Sequence, residues 1–420
     1  MKKIETKINS DVIFKVKRLK GHKFTAKDEF GVIRIYPEIE KQSWLGLGGA
    51  LTESSCYNYQ KLPSDKRKEF LKAYYGKKGL SYDFTRIAIG SCDFSLDSHS
   101  YEFKRDINTI IPTLKEIISI RPQKIIASPW SPPKEMKNNK KFNKGKLDKK
   151  KYDSYAEYLK NFIYDYKCAG IDINYLTMQN EPYANQSWES CTYTALEQKR
   201  FIYDHLIEKI KDTKTQILVH DHNKENLVDV MNYLYEDNEH IAGLAYHSYT
   251  GFHHDNISLV RNRYSKALLI QTESCCGYSP YDKNEWVNDA EYYMKQIIGD
   301  ANAGANAFID WNLLLDYNGG PNHKGNFCKS PIILNEREDD FILTPIYYYL
   351  LHIGKYIKKD YKIIANSKYR NDILVLSAKG KKIVVVVVNP TDEDIEYNIV
   401  LGKYAYCDKL SSHSIATYVE

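Results

Sequence analysis

The chain has 420 residues, 43% of them apolar, and its 60 basic residues exceed its 54 acidic ones, giving a formal charge of +6. That length suits one large domain, or one with an accessory module, and so small a basic surplus argues against a nucleic-acid binder. The longest apolar stretch, Ile383 to Val388, is far shorter than a membrane span and is built almost entirely of β-branched valines, which favour a buried strand. The start, Met1-Lys2-Lys3-Ile4-Glu5-Thr6, has no apolar run behind its lysines, so a cytoplasmic location is expected rather than secretion.

In chain order, Val12 to Val16 and Val32 to Tyr36 are strand-like. Eight short apolar runs follow: Trp44 to Thr52, Phe84 to Gly90, Lys124 to Ser128, Tyr175 to Gln179, Gln216 to His220, Ile241 to His247, Ala267 to Thr272 and Ala305 to Trp311. Helix-period segments such as Asp153 to Lys167 and Thr194 to Lys211 separate them. Strand and helix alternating eight times predicts an α/β fold, a (β/α)8 TIM barrel, whose catalytic groups sit at the carboxyl ends of the strands. A doubly wound open sheet is the structural alternative, weakened because no Gly-x-Gly-x-x-Gly turn follows the first strand. After Leu351, Ile373 to Ser377, Ile383 to Val388, Ile395 to Leu401 and Ile415 to Val419 read as successive strands. The expected division is 1–40 and 353–420 as one side β-sandwich built from both chain ends, with 41–352 as the barrel.

The eight cysteines, at 56, 92, 168, 191, 275, 276, 328 and 407, lack the C-x-x-C spacing of zinc or dithiol redox motifs and read as free thiols. The stretch Lys134 to Lys151 holds nine lysines and is expected as a solvated loop on the catalytic face.

Polar residues at the predicted strand ends carry the chemistry. They are Asp93 at the end of the second strand, Trp130 at that of the third, Asn180 and Glu181 at that of the fourth, His247 and Tyr249 at that of the sixth, Glu273 at that of the seventh, and Trp311 at that of the eighth. Cleaving a glycosidic bond needs one carboxyl to protonate the leaving oxygen and a second to attack or stabilise the oxocarbenium-like centre. Glu181 and Glu273 supply such a pair. The acid is expected to stay protonated through apolar surroundings or the nearby negative Glu273. Asn180 is placed to hold a sugar 2-hydroxyl, Tyr249 to donate to the nucleophile, and the tryptophans to face a pyranose ring. His220-Asp221-His222 and His253-His254 suggest a metal, but two histidines at i, i+2 on a strand have no evident third ligand. Serine chemistry lacks a Gly-x-Ser-x-Gly elbow. A non-catalytic carbohydrate-binding protein is the rival of a different class; it has no need of two glutamates.

From about Gly46 onward the chain resembles glycoside hydrolase family 30, the family of the acid β-glucosylceramidases. The segments that carry the likeness are Gly46-Leu47-Gly48-Gly49-Ala50-Leu51-Thr52-Glu53-Ser54, Ser91-Cys92-Asp93-Phe94-Ser95, Ala127-Ser128-Pro129-Trp130-Ser131, Gln179-Asn180-Glu181-Pro182, Thr272-Glu273-Ser274-Cys275, Asp310-Trp311-Asn312 and Gly319-Gly320-Pro321-Asn322. The resemblance implies a retaining double displacement with Glu181 as acid/base and Glu273 as nucleophile. It also implies sugar contacts at Asp93, Trp130, Asn180 and Trp311, with His247 and Tyr249 lining the same pocket and Asn322 in a loop near it. No metal or organic cofactor is implied. Ser248 stands where glucosylceramidases usually carry a tryptophan. The expected substrate is a terminal β-D-glucoside, with β-xylosidase, β-fucosidase and β-1,6-glucanase activities as alternatives within the family.

Overall fold

The computed structural model describes residues 1–8, 10, 13–277 and 285–420. Eight strands close into a barrel: β1 (Gly46–Ala50), β2 (Phe84–Ile89), β3 (Lys124–Pro129), β4 (Ile173–Leu176), β5 (Gln216–Asn223), β6 (Ile241–His247), β7 (Leu268–Glu273) and β8 (Ala307–Asp310). Each pairs in parallel with its sequence neighbours, and β8 returns to β1 in the register Ala307↔Gly46 to Asp310↔Gly49. The glycines of β1 allow this closure. A Cβ on Gly48 would meet Phe84 Cβ at 2.5 Å and the Phe84 carbonyl oxygen at 2.6 Å.

Side chains alternate across a strand with period two, so the barrel interior is read off every second residue. Its lower layer is apolar: Phe84, Ile126, Leu218, Ala245, Ile270, Ala307 and Ile309 pack together. Two residues further along β2, β3, β6 and β7 come Arg86, Ser128, His247 and Thr272, all buried. The core therefore turns from apolar to polar within one repeat of the pleat, at the carboxyl ends.

Strand β5 reaches this polar layer by breaking the alternation. Its pairing with β6 jumps from Ala245↔His220 to Tyr246↔His222, passing over Asp221. His220 and Asp221 have φ of 78° and 59°. The bulge turns the Asp221 carboxylate into the barrel, where regular alternation from Leu218 would have placed His220.

Among the described residues, ten further strands build one sheet from both chain ends, and two short two-stranded sheets, Cys276–Gly277 with Cys328–Lys329 and Ile332–Leu334 with Phe341–Leu343, stand apart from it. The N-terminal strand Val32–Ser43 lies between Lys362–Lys368 and Ile395–Leu401. The valine run forms Ile383–Asn389, with Val385 and Val387 in the sheet's own core and Val384, Val386 and Val388 in the main core. Burial on both faces explains why that run does not alternate with polar residues. Of the strand expected from Val12, Val12 lies outside the described residues and Lys15–Arg18 is a strand. Lys2–Lys7, which had no strand signal, pairs with Ser414–Val419. The helix Pro345–Gly354 joins sheet to barrel, and its buried His352 bridges Thr6 and Thr417 at 2.8 Å each.

Candidate active site

The site is built around one buried arginine. Arg86 is fully buried, and a buried guanidinium must be paired. Its Nη1 donates to Glu273 Oε2 at 2.5 Å, and its Nη2 donates to Asn180 Oδ1 at 2.8 Å and Asp221 Oδ2 at 3.0 Å. Above it, Trp130 and Trp311 stack with ring centroids 5.2 Å apart, and the guanidinium carbon lies 4.8 Å from the Trp130 ring. Strands β2, β5 and β7 and the segment after β4 are thereby tied to one cation.

Asp221 is the second hub. Ser128 and Thr177 donate to its Oδ2 at 3.0 and 2.7 Å, Thr272 donates to Oδ1 at 2.7 Å, and His247 Nε2 lies 3.2 Å from Oδ1. Burial pushes this carboxyl up, but the Arg86 charge and its hydrogen bonds outweigh burial and hold it well below the usual carboxylate range.

Glu273 ends β7 with both oxygens held: Arg86 on Oε2, and the Tyr249 hydroxyl donating to Oε1 at 2.8 Å. Glu181 lies just beyond β4 at φ 48°, its N–H donating to the Asp221 carbonyl at 2.9 Å. Such left-handed backbone costs a non-glycine residue about 1–3 kcal/mol and tends to collect at functional sites. Its Oε1 is 3.3 Å from His247 Nδ1. One oxygen of Glu181, one of Glu273 and a ring nitrogen of His247 lie within 4.8 Å of one another.

The protonation of this cluster departs from the sequence expectation of a Glu181 carboxyl raised by its surroundings. Burial does push Glu181 up, but the hydrogen bond and charge of His247, with His222 nearby, outweigh it and leave the group below its ordinary value. The companion change is on His247. Burial lowers it, yet the Glu273 charge and its contacts with Asp221 and Glu181 lift it to about 9. The two shifts run in opposite directions and favour a charged His247 beside an ionised Glu181, within one hydrogen bond of it.

A pocket of about 340 Å³ opens over these groups, within the range of small-ligand sites. Asp93, Trp130, Asn180, Glu181, Tyr249, Glu273 and Trp311 line it. Asp93 is largely buried, and burial together with the Glu273 charge pushes its carboxyl well above its ordinary value. His247 is not in the wall: it is completely buried beneath it. Asn322 is not in the wall either. Its Oδ1 accepts from the backbone N–H groups of Lys324 and Asn326, and so shapes the loop that presents Asn326 to Asp93.

Sequence reasoning missed Arg86 and Asp221, and the wall residues Phe94, Gln186, Trp188, His222, Asn326 and Cys328. The signal for Arg86 was present: one charged residue inside the apolar run Phe84 to Gly90 demands a buried partner. His220 and His222 do not converge as metal ligands, because the bulge between them turns His220 Nε2 to the Asn223 carbonyl while His222 faces the pocket. In the lysine-rich loop, Lys137 is buried and its Nζ donates to Ser131 Oγ and to the carbonyls of Phe142 and Ser190, so one of the nine organises the loop from inside.

Comparison with known proteins agrees with this architecture. Residues 45–357 match the glycosyl hydrolase family 30 TIM-barrel domain. Putative glucosylceramidase 3 of Caenorhabditis elegans is 31% identical over 352 residues, covering 76% of this chain and 67% of that protein. The crystal structure of SrfJ from Salmonella typhimurium superposes with a TM-score of 0.96 at 27% identity, over 100% of this chain and 99% of that one. The endo-β-1,6-glucanase BT3312 superposes at 0.87 with 26% identity, over 100% and 98%. With its barrel matched from end to end, the chain belongs to glycosyl hydrolase family 30, a family of O-glycosyl hydrolases.

Proposed function

We propose that the chain hydrolyses a terminal β-D-glucosyl group with retention of configuration, Glu273 acting as nucleophile and Glu181 as acid/base. The observation that carries this reading is the approach of the two carboxylates to within 4.8 Å. Retaining glycosidases hold their pair at about 5–5.5 Å, whereas inverting ones leave about 6.5–9.5 Å for a water.

Glu273, held by Arg86 and Tyr249, attacks the anomeric carbon as the leaving oxygen takes a proton from Glu181. The Glu181–His247 pair holds one such proton, which passes from His247 through Glu181 to the leaving oxygen and leaves Glu181 ionised and His247 neutral. Once the glycosyl ester has formed, the charge on Glu273 that helps hold the proton on His247 is gone. Glu181 then accepts a proton from the water that releases the sugar. Asn180, fixed by Arg86, faces the 2-hydroxyl; Asp93 accepts or donates to outer hydroxyls; Trp130 and Trp311 face the ring's C–H surface.

A second reading, endo-action on a β-1,6-glucan, is favoured by the rest of the pocket lining. Gln186, Trp188, His222 and Phe327 belong to it, a mixture of hydrogen-bonding groups and aromatic faces suited to a sugar aglycone. Hydrolysis assays on aryl β-glucoside, β-xyloside and β-fucoside, with β-1,6-glucan and glucosylceramide alongside, decide the matter. Turnover of the glucoside above the other glycosides supports the proposed glycone; preference for another sugar overturns it.

A further inference from the structure

Two thiols meet in the wall of the catalytic pocket. Cys275 follows Glu273 by two residues, and Cys328 opens the short strand Cys328–Lys329, which pairs antiparallel with Cys276–Gly277 in the register Gly277↔Cys328. Their Sγ atoms are 3.0 Å apart, both residues line the pocket, and all eight cysteines are free thiols. Two sulfurs in ordinary packing stand further apart than this, and a disulfide bond requires about 2.0 Å. An approach of about 1 Å therefore separates the dithiol from the bonded state.

We infer that Cys275 and Cys328 form an oxidative modification site, a dithiol that takes a small-molecule disulfide as its co-reactant and closes to an intramolecular cystine that suppresses turnover. Cys275 is half-buried and Cys328 is buried, so the reagent entering through the pocket meets Cys275 first. The Cys275 thiolate attacks one sulfur of RSSR, forming a mixed disulfide and releasing RS⁻. That thiolate, or water, takes the proton from Cys328, whose sulfur then attacks Cys275 Sγ and expels the second RS⁻, which is protonated in turn. Two protein thiols are oxidised to one disulfide, and one RSSR is reduced to two RSH. Burial and the contact with Cys275 keep the Cys328 thiol protonated in the resting protein, which assigns it the second, resolving step.

The link to the chemistry is short. The Tyr249 hydroxyl, which donates to Glu273 Oε1 at 2.8 Å, is 3.8 Å from Cys275 Sγ. Drawing Cys275 toward Cys328 moves the segment that carries Glu273 and fixes it to the loop that carries Asn326, the partner of Asp93. A displacement of about 1 Å next to reacting groups costs on the order of a hundredfold in rate.

The test uses the full chain with oxidised glutathione, read in two independent ways: non-reducing peptide mapping, and turnover of an aryl β-glucoside. A Cys275–Cys328 cross-linked peptide is expected, with turnover falling on the order of a hundredfold and recovering in dithiothreitol. Cys328→Ser should stop at a glutathione adduct on Cys275 with no cross-link. If the exposed Cys168 and Cys407 acquire glutathione while no 275–328 peptide forms, the site is overturned. If the cross-link forms and turnover is unchanged, the suppression is overturned. The inference uses the glycosidase reading only for its activity readout, so a chain that hydrolyses none of the glycosides would sink that reading while the peptide map still decided the site.

Discussion

Arg86 and Glu273 are joined at 2.5 Å from two different strands, and the arginine is completely buried. The proposed nucleophile is therefore held in place by a side chain that substrate does not reach first. Removing Arg86 would leave Asp221 and Glu273 as uncompensated negative charges. Arg86→Met is expected to destabilise the protein by about 3–5 kcal/mol and to abolish turnover. Urea unfolding with parallel activity assays checks it; unchanged stability would contradict the hub described here.

The His247–Glu181 pair predicts a pH profile. The folded value of about 9 for His247 lies above its ordinary value of about 6.5. Its charge therefore contributes stability that is fully present below about pH 6.5 and is lost as pH rises through about 9, a span worth up to about 3 kcal/mol. The alkaline limb of kcat/KM should fall in the same window. His247→Asn should flatten the stability slope and move that limb at least about one unit lower. An unmoved limb would remove His247 from the proton path.

Glu181→Ala should slow substrates with poor leaving groups far more than activated aryl glycosides. Azide should rescue the activated ones, giving a glycosyl azide of retained configuration. Equal loss on both substrate types, without rescue, would deny Glu181 the acid/base role.

Closure of the barrel at β1 depends on close approach. Gly48→Ala places a methyl group 2.5 Å from Phe84 Cβ, and overpacking of this kind costs about 1–3 kcal/mol. Thermal unfolding of the variant should show the loss; full parental stability would mean β1 and β2 can part without cost.

The periodicity of apolar runs was enough to read the barrel, because each strand packs its own interior residue and announces itself locally. The two glutamates were legible for the same reason, Glu273 closing β7 and Glu181 standing beyond the end of β4. Arg86 was not, since a strand's apolar frame hides one inward charge whose partners come from other strands. Asp221 faces the barrel only because β5 bulges at that residue, and parity counted from Leu218 gives the opposite answer. The proton on His247 depends on Glu181, 66 residues away, and on Asp221 and Glu273, none of which composition can join. Lys2–Lys7 is a strand because the far C-terminus pairs with it, a contact without local trace.

The most direct measurement is to trap the covalent intermediate. A 2-deoxy-2-fluoro-β-D-glucosyl donor with a good leaving group should inactivate the enzyme, and peptide mass spectrometry should find the fluoroglucosyl group esterified to Glu273. Stable inactivation with the label on another residue, or hydrolysis of β-glucosides whose first-formed sugar is the α-anomer, would contradict nucleophilic attack by Glu273.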